Sequence, residues 1–215
     1  DGEHVFYLDN QQLHCVDRNT AEECWTAAFE TKGLFLRNYT PTLVIYNDVL
    51  IVQSLERLAA ISIRDGQTLW ETKGYAGFAS PGDVFVIDDT VWTFPHTKTV
   101  HLNPRDVPGE DQQFLGFDLY TGQVKRSLNK NEVWPGGHHH RCYRNKATTR
   151  YVFTARRGTE TTDVQSGEIR LHPWVRSECR FGIMPANGLL YTFPHPCACY
   201  AGVKLTGVTA LAARE

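Results

Sequence analysis

The stretch Leu58-Ala59-Ala60-Ile61-Ser62-Ile63-Arg64-Asp65-Gly66-Gln67-Thr68-Leu69-Trp70 reads as a strand, a tight turn and a second strand ending in tryptophan. Small and β-branched residues lead into Asp65-Gly66, where a glycine supplies the positive φ that hairpin turns demand, and a pleat-compatible run follows. Related copies recur. Leu115 to Leu119 runs into Thr121-Gly122-Gln123-Val124, Thr161 to Val164 runs into Ser166-Gly167-Glu168-Ile169, and a degenerate copy runs from Leu13 through Thr20 to Trp25. Trp25 and Trp70 lie 45 residues apart, as do Gly122 and Gly167, whereas Gly66 to Gly122 is 56 and contains an insertion. Periods of about 40 to 45 residues with four short strands each mark the blades of a β-propeller.

Composition agrees with an all-β chain. Aromatic residues make up 12% of the 215 residues, turn residues recur throughout, and no segment carries a helical period. With 41% apolar residues and a formal net charge of −2, the chain can bury a core and carries no basic field for nucleic acid. No apolar run approaches the roughly 18 to 20 residues of a transmembrane helix. The opening Asp1-Gly2-Glu3-His4 is neither a signal peptide nor a natural start, so a mature or excised piece is expected.

At these repeats the chain resembles the PQQ-like, or quinoprotein dehydrogenase-like, β-propeller repeat, the broad group of the bacterial outer-membrane assembly lipoprotein BamB. The match is good over residues 58 to 70 and loose over 13 to 25 and 159 to 171. From Gly137 to Leu211, the runs His139-His140-Arg141-Cys142-Tyr143-Arg144, Gly182-Ile183-Met184-Pro185-Ala186-Asn187-Gly188-Leu189 and Pro194-His195-Pro196-Cys197-Ala198-Cys199-Tyr200 resemble an uncharacterised subgroup of such proteins from environmental bacteria. The resemblance implies four-stranded antiparallel blades and a periplasmic or secreted location. Family members usually have seven or eight blades. About five, partly incomplete, fit one propeller domain over 1–215, at approximately 1–28, 40–74, 82–128, 141–171 and 181–215. The missing blades are then expected from a longer chain or another subunit, since two strand edges would otherwise stay open.

Strand bookkeeping places the reactive residues. Strands a and b fall at Thr42–Tyr46 and Val49–Gln53 in the second blade, and at Asp83–Ile87 and Val91–Phe94 in the third. The fourth has them at Arg141–Arg144 and Tyr151–Ala155, the fifth at Phe181–Pro185 and Leu189–Thr192, and Lys204 to Leu211 reads as a last strand c. Strands alternate in direction, so d-to-a connections and b-to-c turns share one rim. That rim gathers His138, His139, His140, Arg141 and Cys142, then Arg156 and Arg157, then His172, Arg176 and Cys179, and finally His195, Cys197 and Cys199. His96 and His101 join it through the polar insertion 101–113.

Cys142, Cys179, Cys197 and Cys199, with His195 or His140, can supply thiolates and imidazole to zinc or a similar ion, or pair as disulfides. Cys15 and Cys24 flank a hairpin instead and are candidates for a disulfide of their own. Arg141, Arg144, Arg156, Arg157 and Arg176 can fork onto carboxylates or sulfates, or serve as surface charge paired to Glu160, Asp163 and Glu178. Tyr143, Trp134, Trp174, Phe193 and Tyr200 can stack on sugar rings or pack between blades.

Two functional classes survive. One is a non-catalytic extracellular propeller that binds a protein or anionic glycan through the rim, held rigid by disulfides or a metal. The other is a polysaccharide lyase acting on uronate glycans, in which Arg144 neutralises the substrate carboxylate and Tyr143, His139 or His140 moves protons. A PQQ-dependent dehydrogenase is the least supported, because no group of Asp, Asn and Glu stands out as the calcium site such an enzyme needs.

Overall fold

The computed structural model describes residues 1–9, 11–31, 41–54, 57–74, 83–96, 113–129, 143–154, 158–179, 181–194, 205 and 207–213. Every regular element among them is a strand, and the strands form five antiparallel meanders. The first sheet is β1 (His4–Leu8), β2 (Gln12–Asp17) and β3 (Glu23–Ala28). The second is β4 (Thr42–Tyr46), β5 (Val49–Gln53), β6 (Arg57–Ser62) and β7 (Thr68–Lys73). The third is β8 (Asp83–Ile87), β9 (Thr90–His96), β10 (Gln113–Asp118) and β11 (Val124–Asn129). The fourth is β12 (Lys146–Ala147), β13 (Tyr151–Thr154), β14 (Thr159–Asp163) and β15 (Ile169–His172), and the fifth is β16 (Met184–Ala186), β17 (Leu189–Thr192) and β18 (Thr209–Ala212). Two compact units result, one with β1 to β10 and most of β11, the other with β12 to β18.

One turn is built four times between the third and fourth strand of a blade. In each copy the last residue of one strand donates its N–H to a carbonyl five residues on: Asp17 to Glu22, Ser62 to Gln67, Asp118 to Gln123 and Asp163 to Glu168, all at 2.8 to 2.9 Å. The residue at positive φ is Gly66 (73°), Gly122 (69°) or Gly167 (78°), but Ala21 (59°) in the first sheet. The degenerate copy therefore makes the same turn without glycine, at a strain of about 1 kcal/mol for an L-residue held there.

Three of the four copies are capped by a carboxylate. Asp17 Oδ1 accepts from the N–H groups of Asn19 and Thr20, Asp118 Oδ1 from Tyr120 and Thr121, and Asp163 Oδ1 from Gln165 and Ser166. Backbone donation, led by Thr20 at Asp17 and by Thr121 at Asp118, holds those two carboxyls below their usual range. At Asp163 burial pushes upward first, but the Arg150 guanidinium and the two turn N–H groups outweigh it and the value ends lowered. A depressed native pKa gives stability that is complete above the unfolded value of about 3.9 and lost as pH falls through the native values. The urea midpoint of the chain should therefore fall between about pH 5 and about pH 2.5, and the triple variant Asp17→Asn, Asp118→Asn, Asp163→Asn should flatten that slope. An unchanged slope would mean the capping carboxylates do not control acid stability.

In the first unit, tryptophans tie successive sheets together. Trp25 Nε1 donates to Ile63 O at 2.9 Å and Trp70 Nε1 to Leu119 O at 2.8 Å, each reaching the turn of the next sheet. The rings lie flat against the turn glycines: a Cβ on Gly66 would sit 2.6 Å from Trp25, and one on Gly122 would sit 2.6 Å from Trp70. Only a residue without a side chain admits that approach. Between these latches lie two apolar clusters, one around Leu13, Phe29, Leu50 and Val52, the other around Val49, Ile51, Leu58, Val91 and Leu119.

The first strands of the second and third sheets fall where expected, but those of the fourth and fifth do not. Arg141 and Cys142 of the expected Arg141–Arg144 strand lie outside the described residues; among the described residues the first strand of the fourth sheet is Lys146–Ala147, because Thr148 Oγ1 accepts from Arg150 N and Tyr151 N and so fixes the turn into β13. Ala147 must then oppose Val152 and Lys146 oppose Phe153. Instead of Phe181–Pro185, the fifth sheet begins at Met184, because Gly182, at φ 72°, closes a turn onto Glu178 O at 2.9 Å and breaks the extended run.

Candidate functional site

Most of the residues nominated for the rim lie outside the described residues: Trp134, His138, His139, His140, Arg141, Cys142, Arg156, Arg157, His195, Cys197, Cys199 and Tyr200, as does His101. Of the nominated rim and binding residues, Tyr143, Arg144, His172, Trp174, Arg176, Cys179 and Phe193 are described in the second unit, and His96 ends β9 in the first.

Tyr143 is fully buried. Its ring covers Gly182, where a Cβ would come within 2.4 Å of Cδ2, and it shares a small apolar cluster with Ile183, Phe153 and Leu190. The glycine is thus needed twice, for its positive φ and for the ring that lies on it. Arg144, the next residue along, is half-buried.

Arg176 was expected at a solvent-facing rim; the structure places it in the interior at 1% exposure, between buried Val175 and Ser177. This segment is fastened on both sides. Thr159 Oγ1 donates to Val175 O at 3.1 Å, and Phe193 N donates to Ser177 Oγ at 2.8 Å. Glu160, an alternative partner for the rim arginines on sequence grounds, is also buried and accepts from Thr154 Oγ1 at 3.0 Å. Asp163 pairs with Arg150, which donates from Nε at 2.9 Å and approaches with Nη2 at 2.8 Å. Arg150 carried no signal in the sequence; it reaches Asp163 because Tyr151 and Asp163 are register partners across β13 and β14.

Trp174 is exposed and Cys179, a free thiol, is half-buried. Burial, with Arg170 adding repulsion, holds His172 below the ordinary histidine range, which favours a neutral ring able to accept a proton.

The first sheet holds the remaining nominated pair. Cys15 is buried and Cys24 exposed, both as free thiols, and their sulfurs lie within 4.8 Å of each other and of a ring nitrogen of His4. His4 was not nominated from the sequence. Its proximity depends on strand register, with His4 opposite Asp17 and Phe6 opposite Cys15. Two thiols and an imidazole do not fit the oxygen-ligated calcium of a PQQ site.

BamB from Moraxella catarrhalis superposes with a TM-score of 0.57 at 14% identity, covering 87% of this chain and 50% of BamB. The fold is that of a β-propeller. The computationally designed protein Ika8 superposes with a TM-score of 0.56 at 13% identity, covering 97% of this chain and 57% of that one. The chain therefore spans about half the length of these solved structures. No family model matches the sequence. No curated protein matches it either.

Proposed function

We propose that the chain is part of a non-catalytic propeller, periplasmic or secreted, that binds a protein or an anionic glycan through the rim carrying Arg141, Arg156 and Arg157. The observation that favours binding over lyase chemistry is the burial of Tyr143: a phenol that takes the proton at C5 of a uronate must meet the sugar, and this one is enclosed by Gly182 and Ile183. The burial of Arg176 takes that arginine out of the binding set, since a guanidinium at 1% exposure is spent on the interior, and leaves the rim charge to Arg141, Arg156 and Arg157. The rim would be held rigid by disulfides or a metal among Cys142, Cys179, Cys197 and Cys199. A periplasmic or secreted location draws support from the resemblance of the repeats to the BamB group.

Affinity electrophoresis through gels containing polygalacturonate, alginate or hyaluronate tests the glycan form of this reading. Retardation that weakens with salt and is lost in Arg141→Ala, Arg156→Ala, Arg157→Ala, with no unsaturated uronide formed, is the expected result. Appearance of ultraviolet-absorbing unsaturated product would overturn it in favour of the lyase. Retardation that survives the three substitutions would move the binding surface off this rim.

A further inference from the structure

On the first sheet, three adjacent strands each contribute one side chain able to bind a thiophilic ion. His4 opens β1, Cys15 lies on β2 and Cys24 on β3, and their ligand atoms all lie within 4.8 Å of one another. Register explains the convergence. His4 is diagonal to Cys15, because Asp17 and Phe6 are the paired residues at those levels. Cys24 enters as the extra residue of a bulge, since Cys15 opposes Trp25 and Val16 already opposes Glu23.

The second sheet repeats the bulge and shows what the fold itself needs at these positions. By the same register, Val49, opposite Ser62, stands where His4 does; Ala60, opposite Trp70, stands where Cys15 does; and Leu69 stands at the bulge in place of Cys24. The blade is therefore satisfied by three apolar residues there. In the first sheet all three are exchanged together for an imidazole and two thiols. Packing alone does not ask for that exchange.

We propose that His4, Cys15 and Cys24 bind one zinc-like divalent cation, leaving a fourth position for water. The donor set is that of a zinc centre with one open site, in which Zn–S is about 2.3 Å and Zn–N about 2.0 to 2.1 Å. Tetrahedral ligands at those lengths stand about 3.5 to 3.8 Å apart, so a contraction of about 1 Å suffices, within the rotamer reach of the exposed Cys24. Asp1 Oδ2 lies 3.2 Å from His4 Nδ1, so an ion held through Nε2 would find the ring oriented by a carboxylate, as metal-bound histidines usually are. Without an ion, burial and then the neighbouring Cys24 push the Cys15 thiol up to about 11. Binding must release the proton of each thiol, so affinity should fall steeply as pH drops below neutral. The proposal is independent of the rim, and failure of either leaves the other standing.

The test is titration of the reduced, chelator-treated chain with Co²⁺, followed by displacement with Zn²⁺. The expected result is one equivalent of tetrahedral thiolate-bound cobalt, read from its charge-transfer and visible bands. These bands should persist when Cys142, Cys179, Cys197 and Cys199 are all changed to serine and vanish in Cys24→Ser. Cys24 is exposed, so that variant should keep its circular dichroism spectrum; His4→Gln should weaken binding about tenfold or more. Bands that survive Cys24→Ser, or no thiolate band in the reduced parent chain, would overturn the proposal. So would a Cys15–Cys24 disulfide that forms in air in the presence of saturating zinc.

Discussion

Replacing Trp70 with alanine should cost the chain about 3 kcal/mol of unfolding free energy, read as a lower urea midpoint. A fully buried tryptophan cut to alanine loses about 3 to 5 kcal/mol; Trp70 is half-buried, which lowers the packing share, but it also donates to Leu119 O at 2.8 Å. Leu119 itself is fully buried, so its carbonyl gives up a partner in a poorly hydrated place. Trp70→Phe separates the two contributions, keeping a ring against Phe117 while losing the N–H, and should cost about 1 kcal/mol. Gly122→Val attacks the same contact from the other side. It puts a β-branched residue at φ 69° and drives its Cβ into the Trp70 ring, so it should be at least as damaging as the alanine change. A Trp70→Ala chain within about 0.5 kcal/mol of the parent would mean the latch is ornamental, because surface substitutions routinely fall in that range.

The latch explains why this fold was legible in sequence. Each Asp/Ser-x-x-x-Gly turn and each tryptophan eight residues beyond the turn's first residue serve a contact between neighbouring sheets, so both had to recur, and the spacing of Trp25 and Trp70 follows from the repeat. The pattern thins in the later sheets. At the corresponding position the third sheet has Arg126 and the fourth Leu171, and the recurrence of tryptophan ends there. Strands β4 and β5 were readable to the residue, because unbroken apolar runs flank a two-residue turn with Asn47 at φ 51°. The first strand of the fourth sheet was not. Arg141-Cys142-Tyr143-Arg144 has no alternation to set a face, and register is set by Thr148, whose hydroxyl anchors the turn.

Residue type misled most at the site. Arg176 reads as a rim charge, since charged groups are seldom enclosed, yet it is interior; Tyr143, for which packing between blades stands beside sugar chemistry, is interior too. What decides their place is the close approach of chain segments, Tyr143 to Gly182 and residues 175 to 177 to β14 and to Phe193, and such contacts between distant segments leave no local pattern. The thiol and imidazole cluster of the first sheet was half-legible for the same reason. The hairpin brings Cys15 and Cys24 together, but His4 is diagonal only in the folded register.

Tyr143→Ala is expected to destabilise the second unit by about 3 to 4 kcal/mol, the range for emptying a buried aromatic site that can only partly collapse. The ring is fully enclosed and rests on Gly182, with Ile183, Phe153 and Leu190 around it, so its loss opens a cavity between the run before β12 and the start of the fifth sheet. Gly182→Ala should do similar harm through a different cause. Its Cβ would meet Tyr143 at 2.4 Å and its φ of 72° disfavours any L-residue. Tyr143→Phe is the informative control, because it keeps the ring and removes only the hydroxyl, for about 1 kcal/mol. If Tyr143 is a packing residue, the Phe variant keeps a urea midpoint near the parent and any glycan retardation is unchanged, while the Ala variant loses both. A Phe variant that folds as well as the parent but no longer cleaves a uronate polymer cleaved by the parent would place the phenol oxygen at the reacting carbon and restore the lyase reading. The two outcomes differ in a single oxygen atom, which no packing argument can exchange for the other.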